Sequence, residues 1–227
     1  MHKTALHNAQ LFFDCYGKYF KSDENPKLVD IGSQDVNGSI KDVCPSYLKY
    51  IGVDFIEANN VDIVLTDPYK LPFEDSSIDI ITSSSCFEHS EMFWLVYLEI
   101  LRVLKPKGVF YLNAPSKGEY HRYPVDCYRF YPDSGSALIK WGEVNNYKNI
   151  LLESYIDSSG QWGDFVGIFL KDKSYQDIFL DKVLNSKINF INGKKGNDQS
   201  IFNLSRSNNS NNGKIKSIYI KVKKFFS

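Results

Sequence analysis

The 227-residue chain has only four cysteines, Cys15, Cys44, Cys86 and Cys127, and no two of them form a C-x-x-C pair. Thiols scattered in this way exclude a disulfide framework and a cysteine-built zinc site. A reduced, cytoplasmic protein with no metal centre is therefore expected. No apolar run reaches the ~18 residues that a membrane span needs. The N-terminus also lacks a basic stretch followed by an apolar one, so secretion is not expected. Net charge is missing too, with 27 Lys/Arg against 27 Asp/Glu. The balance is uneven along the chain, because residues 1–170 hold 15 basic and 23 acidic side chains while residues 171–227 hold 12 and 4. An acidic body argues against a nucleic-acid partner, whose binding face is itself basic. A G-x-G-x-x-G loop is absent as well.

What the chain does have is 43% hydrophobic and 15% aromatic residues, enough for one α/β domain with a substantial core. Its organising stretch is residues 27–38. Leu28, Val29 and Ile31 form a short apolar run broken by Asp30, and the chain then turns through Gly32 and Gly38. A buried parallel strand reads this way, and the loop after such a strand is where open α/β sheets hold ligands. A second strand, residues 50–54, ends on Asp54. An acid there, following a glycine-containing first loop, suits a ribose hydroxyl pair.

Charge decides which nucleoside fits. A dinucleotide needs backbone close to a pyrophosphate on a helix N-terminus. Here Gln34 occupies the second glycine position and Asp35 follows it. The side chain blocks that approach and the carboxylate repels phosphate. S-adenosylmethionine carries a sulfonium and no phosphate, so Asp30 and Asp35 suit it better. Asp35 to Gly38 offers the left-handed conformers that complete the turn.

The remaining order is strand and helix in alternation. Residues 4–20 form an amphipathic helix through Ala9, Phe12, Phe13, Tyr16, Tyr19 and Phe20, which either packs on the sheet or lids the cofactor site. Any helix in residues 39–48 is brief, because Pro45 interrupts it. Strands are expected at 61–65, 77–82 and 109–112, a helix at 91–104, and last strands at 149–156 and 165–170. Strands alternating with crossover helices give a parallel sheet. Asp67, just past the third strand, is placed either to accept from an adenine amino group or to start the turn before Pro68.

Five segments in this order resemble a small class I S-adenosylmethionine-dependent methyltransferase of the type-11 kind. They are Val29-Asp30-Ile31-Gly32-Ser33, Tyr50 to Asp54, Asp67 with Leu71-Pro72-Phe73-Glu74-Asp75, Phe87-Glu88-His89, and Leu101 to Gly108. The resemblance spans Val29 to about Trp141, roughly half of the chain. It implies a Rossmann-like, seven-stranded, mostly parallel sheet with flanking helices and an antiparallel last strand. It also implies S-adenosylmethionine over Gly32, with Asp54 on the ribose and Asp67 near the adenine. Asp30, Ser33, Gln34, Phe55, Pro68 and Ser84 complete the expected cofactor site. The domains then read as an N-terminal helix (1–26), a methyltransferase domain (27–172) and a helical, basic extension (173–227).

The acceptor side is expected in the loop after the fifth strand. Residues 116–133 interleave His121, Arg122, Asp126 and Arg129 with Tyr120, Tyr123, Tyr128, Phe130 and Tyr131, a surface suited to a sugar ring. The segment His121-Arg122-Tyr123-Pro124-Val125-Asp126 is similar to segments of methyltransferases in bacterial surface-glycan clusters. A loop held by its own aromatics and salt bridges is the alternative. His121 and Asp126 are the candidate bases for a hydroxyl proton, with His89 third, since an imidazole near neutral pKa is the usual base. His89 also fits helix capping or cofactor support. Trp162 is a further acceptor-side candidate.

Beyond Trp141 the pattern weakens. Residues 174–184 read as a helix and 203–213, rich in Asn and Ser, as flexible. Residues 214–227 alternate cations with apolar side chains, which admits peripheral contact with an anionic membrane, an edge strand, a homodimer contact or a free tail. Three functions stay open: O-methylation of a sugar or other small hydroxylated acceptor in surface polysaccharide synthesis, nicotinamide-dependent oxidoreduction, and a catalytically silent binding protein of the same fold.

Overall fold

The computed structural model describes residues 1–196 and 200–205. Its eight strands are β1 (Lys27–Ile31), β2 (Lys49–Asp54), β3 (Ile63–Val64), β4 (Ile78–Ser84), β5 (Leu104–Pro115), β6 (Ile150–Asp157), β7 (Asp164–Leu170) and β8 (Ile191–Lys195). Three α-helices, α1 (Lys3–Tyr16), α2 (Phe93–Val103) and α3 (Ser134–Val144), flank them. The strands form one sheet in the order β3-β2-β1-β4-β5-β7-β6-β8. β1 pairs in parallel with β2 and β4, β4 with β5, and β2 with β3. β7 is antiparallel to both β5 and β6, and β8 is antiparallel to β6. The expected seven strands, the last antiparallel, are present, and β8 is added at the edge. No described helix is long and apolar enough to cross a membrane.

Alternation along each strand divides the core into two layers. Val29, Ile31, Ile81, Phe110 and Leu112 face α2 and α3, whose Tyr97, Ile100, Leu101, Leu138 and Ile139 cover them. Leu28, Ile80, Val109 and Tyr111 face α1, whose Ala9, Phe12, Phe13 and Tyr16 cover the other side. Because both faces are covered, β1 and β4 carry near-continuous apolar runs rather than an apolar–polar alternation. Strand order reverses between β1 and β4, and the crevice at the carboxyl ends of those strands is the natural ligand position.

Some elements depart from the sequence reading. α1 ends at Tyr16 and a 3-10 turn carries residues 17–20. The third strand shrinks to two paired residues. α3 was not anticipated. The helix expected at 174–184 is instead two 3-10 turns, Lys173–Ile178 and Val183–Asn185. Glu153 explains the break, because its carboxylate accepts from the backbone amides of Val183 (2.7 Å) and Leu184 (3.0 Å), which a continuous helix would give to carbonyls. The Asn/Ser-rich stretch from 206 onward and the basic segment 214–227 lie outside the described residues.

Candidate active site

The site grows from the end of β1. The Gly32 amide donates to the Val53 carbonyl at 3.0 Å, and Ser33 to the same oxygen at 3.2 Å, which ties the first loop to β2. Gly32 has φ +77°, and an added Cβ would lie 2.6 Å from Cys86 Cβ, so only glycine fits. At the end of β2, Asp54 is buried and its carboxylate accepts from the Gln34 amide at 3.2 Å and from the Phe55 amide at 2.7 Å. Asp35 closes the turn by accepting from the Gly38 amide at 2.8 Å, with Gly38 at φ +107°. Asp30 is buried beneath and accepts from Thr82 Oγ1 and Tyr50 OH, each at 2.8 Å. Burial pushes its carboxyl up to about 7, and those two hydrogen bonds oppose the rise.

A cavity of about 660 Å³ opens over this framework, with Asp30, Gly32, Ser33, Gln34, Asp54, Phe55 and Ser84 on its walls. A narrower extension of about 210 Å³ shares Gly32, Asp54, Phe55, Cys86 and His89 with it. Leu65, Pro68, Tyr69, Phe87 and Val96 make that extension an apolar slot. Asp67 lines neither cavity; it starts the turn, accepting from the Tyr69 amide at 2.9 Å.

The far wall comes from the loop after β5. His89, His121, Arg122, Tyr123 and Trp162 line the larger cavity. The rings of His89 and His121 stand 5.0 Å apart and edge to face, and His121 lies 4.7 Å from Trp162. Tyr123 OH donates to Gln34 Oε1 at 2.8 Å, so the residue that replaces the usual glycine joins the two loops across the cavity. Asp126 lies behind the wall. Arg129 grips it with both terminal nitrogens, at 2.5 and 2.8 Å, and the His121 amide adds a bond at 2.7 Å. Those bonds hold the Asp126 carboxyl well below the usual carboxylate range. A carboxylate so stabilised is a poor base, and it stands 3.5 Å from His121 Nδ1 as a support. Tyr128 OH donates to the Glu91 carbonyl, while Tyr120 is 73% exposed; neither they nor Arg129 line either of these two cavities.

Sequence reasoning missed five contributors. Glu88 and Cys86 line the cavity beside His89; Glu88 stood inside the quoted Phe87-Glu88-His89 motif, but nothing in the sequence showed that it is buried. Its carboxyl is pushed up to about 8 by burial. His89 is held below its usual pKa, again by burial. Met1, His2 and Lys3 close the near side, with the Met1 amino group donating to the Gly38 carbonyl at 3.4 Å and His2 Nε2 3.2 Å from Asp164. α1 thus packs on the sheet while its leading residues border the site.

The residues present fit S-adenosylmethionine: a glycine cradle with no room for Cβ, an acid at the second strand end, and an apolar slot for a flat ring. Ser84 Oγ is also buried with no partner among the described residues.

Comparison with known proteins agrees. Residues 29–112 match the family model described as a methyltransferase domain. The fold resembles that of the Burkholderia thailandensis 1,6-didemethyltoxoflavin-N1-methyltransferase, solved with 1,6-didemethyltoxoflavin and S-adenosylhomocysteine (TM-score 0.56, 14% identity, covering 75% of this chain and 80% of that one). It also resembles an S-adenosylmethionine-dependent methyltransferase from Archaeoglobus fulgidus (TM-score 0.54, 15% identity, 73% and 94% covered). The [4+2]-cyclase SpnF shares the architecture (TM-score 0.52, 14% identity, 74% and 81% covered). The fold is that of the class I methyltransferases.

Proposed function

We propose that this chain is an S-adenosylmethionine-dependent methyltransferase that O-methylates a sugar or another small hydroxylated acceptor, of the kind found in surface polysaccharides. The observation that carries the reading is the single cavity that joins the Gly32–Asp54 cradle to a wall of two imidazoles, a tryptophan, an arginine and a tyrosine. A polar, aromatic wall of this composition suits a ring bearing hydroxyls, with Trp162 for its apolar face and Arg122 for its oxygens.

S-adenosylmethionine supplies an electrophilic methyl group on a sulfonium. With it bound, Asp54 would accept from the ribose hydroxyls, Gly32 and Ser33 would give the backbone surface beneath, Pro68 and Tyr69 would border the adenine, and Asp30 would offer a carboxyl to the cationic end. His89 and His121 act on the acceptor hydroxyl, whose proton must leave as the new bond forms. Asp126 and Arg129 hold His121 in place. Fixing the acceptor in line with the methyl group is worth roughly 7–11 kcal/mol of the barrier.

The test is turnover to S-adenosylhomocysteine with a panel of nucleotide sugars and glycans. We expect a hydroxylated acceptor to support turnover, and His121→Ala to lower kcat at least about tenfold while leaving cofactor affinity unchanged. Turnover only with amine acceptors would replace the hydroxyl assignment, and a fully active His121→Ala would remove that residue from the chemistry.

A further inference from the structure

We infer that Glu88, His89 and His121 form a binding site for a divalent transition-metal ion at the acceptor end of the cavity. Each offers one ligand atom, and the three atoms all lie within 4.8 Å of one another. Glu88 and His89 share the 3-10 turn Phe87–His89 after β4, so the backbone fixes their spacing. His121 comes from the loop after β5, which is pinned to the same turn where the amides of Cys127 (2.8 Å) and Tyr128 (3.2 Å) donate to the Glu88 carbonyl.

Hydrogen bonding settles which nitrogens are free. His89 Nδ1 lies 2.5 Å from the Val125 carbonyl, and His121 Nδ1 lies 3.1 Å from the Glu119 carbonyl. A carbonyl oxygen only accepts, so each Nδ1 carries the proton and each Nε2 keeps its lone pair. Histidine ligands of metals are held in this way, with one nitrogen donating to the protein and the other turned to the ion. His89 Nε2 stands 3.8 Å from Glu88 Oε1, a separation that one ion can bridge with little movement.

An independent observation comes from Glu88 itself. It is 1% exposed, it lines the cavity, and its Oε2 has no hydrogen-bond partner among the described residues. Buried polar atoms are nearly always paired, and an ion completes this one. The expectation of no metal centre rested on cysteine spacing, which is silent about a carboxylate and two imidazoles brought together from two loops.

Two imidazoles and one carboxylate suit manganese, iron, cobalt, nickel or zinc, whereas magnesium prefers oxygen ligands. Three protein ligands leave coordination positions open for the acceptor. The catalytic part of this inference rests on the proposed methyl transfer. The acceptor's hydroxyl oxygen binds the ion, which acidifies it, and its proton passes to water at the cavity mouth. The oxygen lone pair forms the new O–CH3 bond while the S–CH3 bond breaks, and that bond's electron pair stays on sulfur as S-adenosylhomocysteine departs. The imidazole pair then acts on the hydroxyl by holding the ion.

The experiment uses the full chain stripped with chelator. Cobalt(II), zinc(II), manganese(II) and magnesium(II) are titrated by calorimetry, and the visible absorption of the cobalt form is recorded. We expect one transition ion per chain, bound at least about tenfold more tightly than magnesium, with cobalt bands that shift on adding acceptor. E88Q and H121A should each lower cobalt affinity at least about tenfold. H121A alters a partly exposed loop residue and serves if E88Q does not fold. Wild-type protein without saturable cobalt binding, or variants that bind cobalt as the wild type does, would overturn the site. Full turnover in the stripped protein would overturn the metal's part in the reaction. S-adenosylmethionine affinity of the stripped protein is measured beside these, so a failure of cofactor binding is read separately from a failure of the metal site.

Discussion

Asp30 is buried between β2 and β4, with Tyr50 and Thr82 donating to it, and burial pushes its carboxyl up to about 7. In the unfolded chain an aspartic acid titrates near ~3.9. Between those values the native state keeps a proton that the unfolded chain has lost. Its contribution to stability is therefore full below about pH 4 and is lost as pH rises through about 7. A cationic ligand overhead favours the ionised form, so affinity for S-adenosylmethionine should rise between about pH 6 and about pH 8. Calorimetry on the wild type and on Asp30→Asn checks this, because the variant should show a flatter profile; equal slopes would detach Asp30 from the site. Gly32 gives a second outcome at this scale. Its positive φ and the 2.6 Å approach to Cys86 predict that Gly32→Ala loses about 1–3 kcal/mol of stability, read as a lowered denaturation midpoint.

Between elements, the strongest ties are buried carboxylates. Glu153 on β6 accepts from Tyr16 OH of α1 at 2.6 Å and from the Val183 and Leu184 amides, so one side chain joins helix, sheet and C-terminal segment. Glu153→Leu leaves three donors without an acceptor and should cost about 3 kcal/mol or more. The acceptor loop depends on the Asp126–Arg129 clamp in the same way. Arg129→Lys forfeits the two-pronged geometry, and we expect kcat to fall while cofactor affinity holds. A kinetic comparison with direct cofactor titration separates the two effects. The first loop is held from both sides, by Asp54 and by Tyr123, which explains how Gln34 replaces a glycine without loss of the cradle.

At the scale of the molecule, the sheet order places the β1, β2 and β4 ends along one edge, and this arrangement was legible in the sequence. Apolar runs at β1, β4 and β5 and the periodicity of α1 and α2 are local patterns. Asp54 and Gly32 stood out because strand ends are marked by a change of residue type. Less was legible where long-range contacts decide. The 174–184 segment has helical spacing, yet Glu153, some thirty residues earlier, takes the amides a helix would use. Asp126 has the sequence context of a base, but the Arg129 grip that disqualifies it forms only in the folded loop, and β8, with its polar Asn-Gly-Lys-Lys run, carries no strand signal. The C-terminal segment is nonetheless part of the core, since Phe179, Val183 and Leu184 are buried with α1 and the sheet. A chain ending at residue 172 would expose the partners of these side chains at roughly 1.5–3 kcal/mol each, against a total stability of about 5–15 kcal/mol. We expect it to lose cooperative unfolding, as followed by circular dichroism during denaturation.

The proposed methyl transfer requires a phosphate-free, cationic nucleoside in the crevice over Gly32 with Asp54 on its ribose. Titration calorimetry of the full chain and of Asp54→Ala with S-adenosylmethionine, and of the full chain with NAD, is the decisive measurement. We expect saturable binding of S-adenosylmethionine, a loss of about tenfold or more in the variant, and no binding of NAD. Binding of NAD, or equal affinity of the two proteins for S-adenosylmethionine, would rule this occupant out.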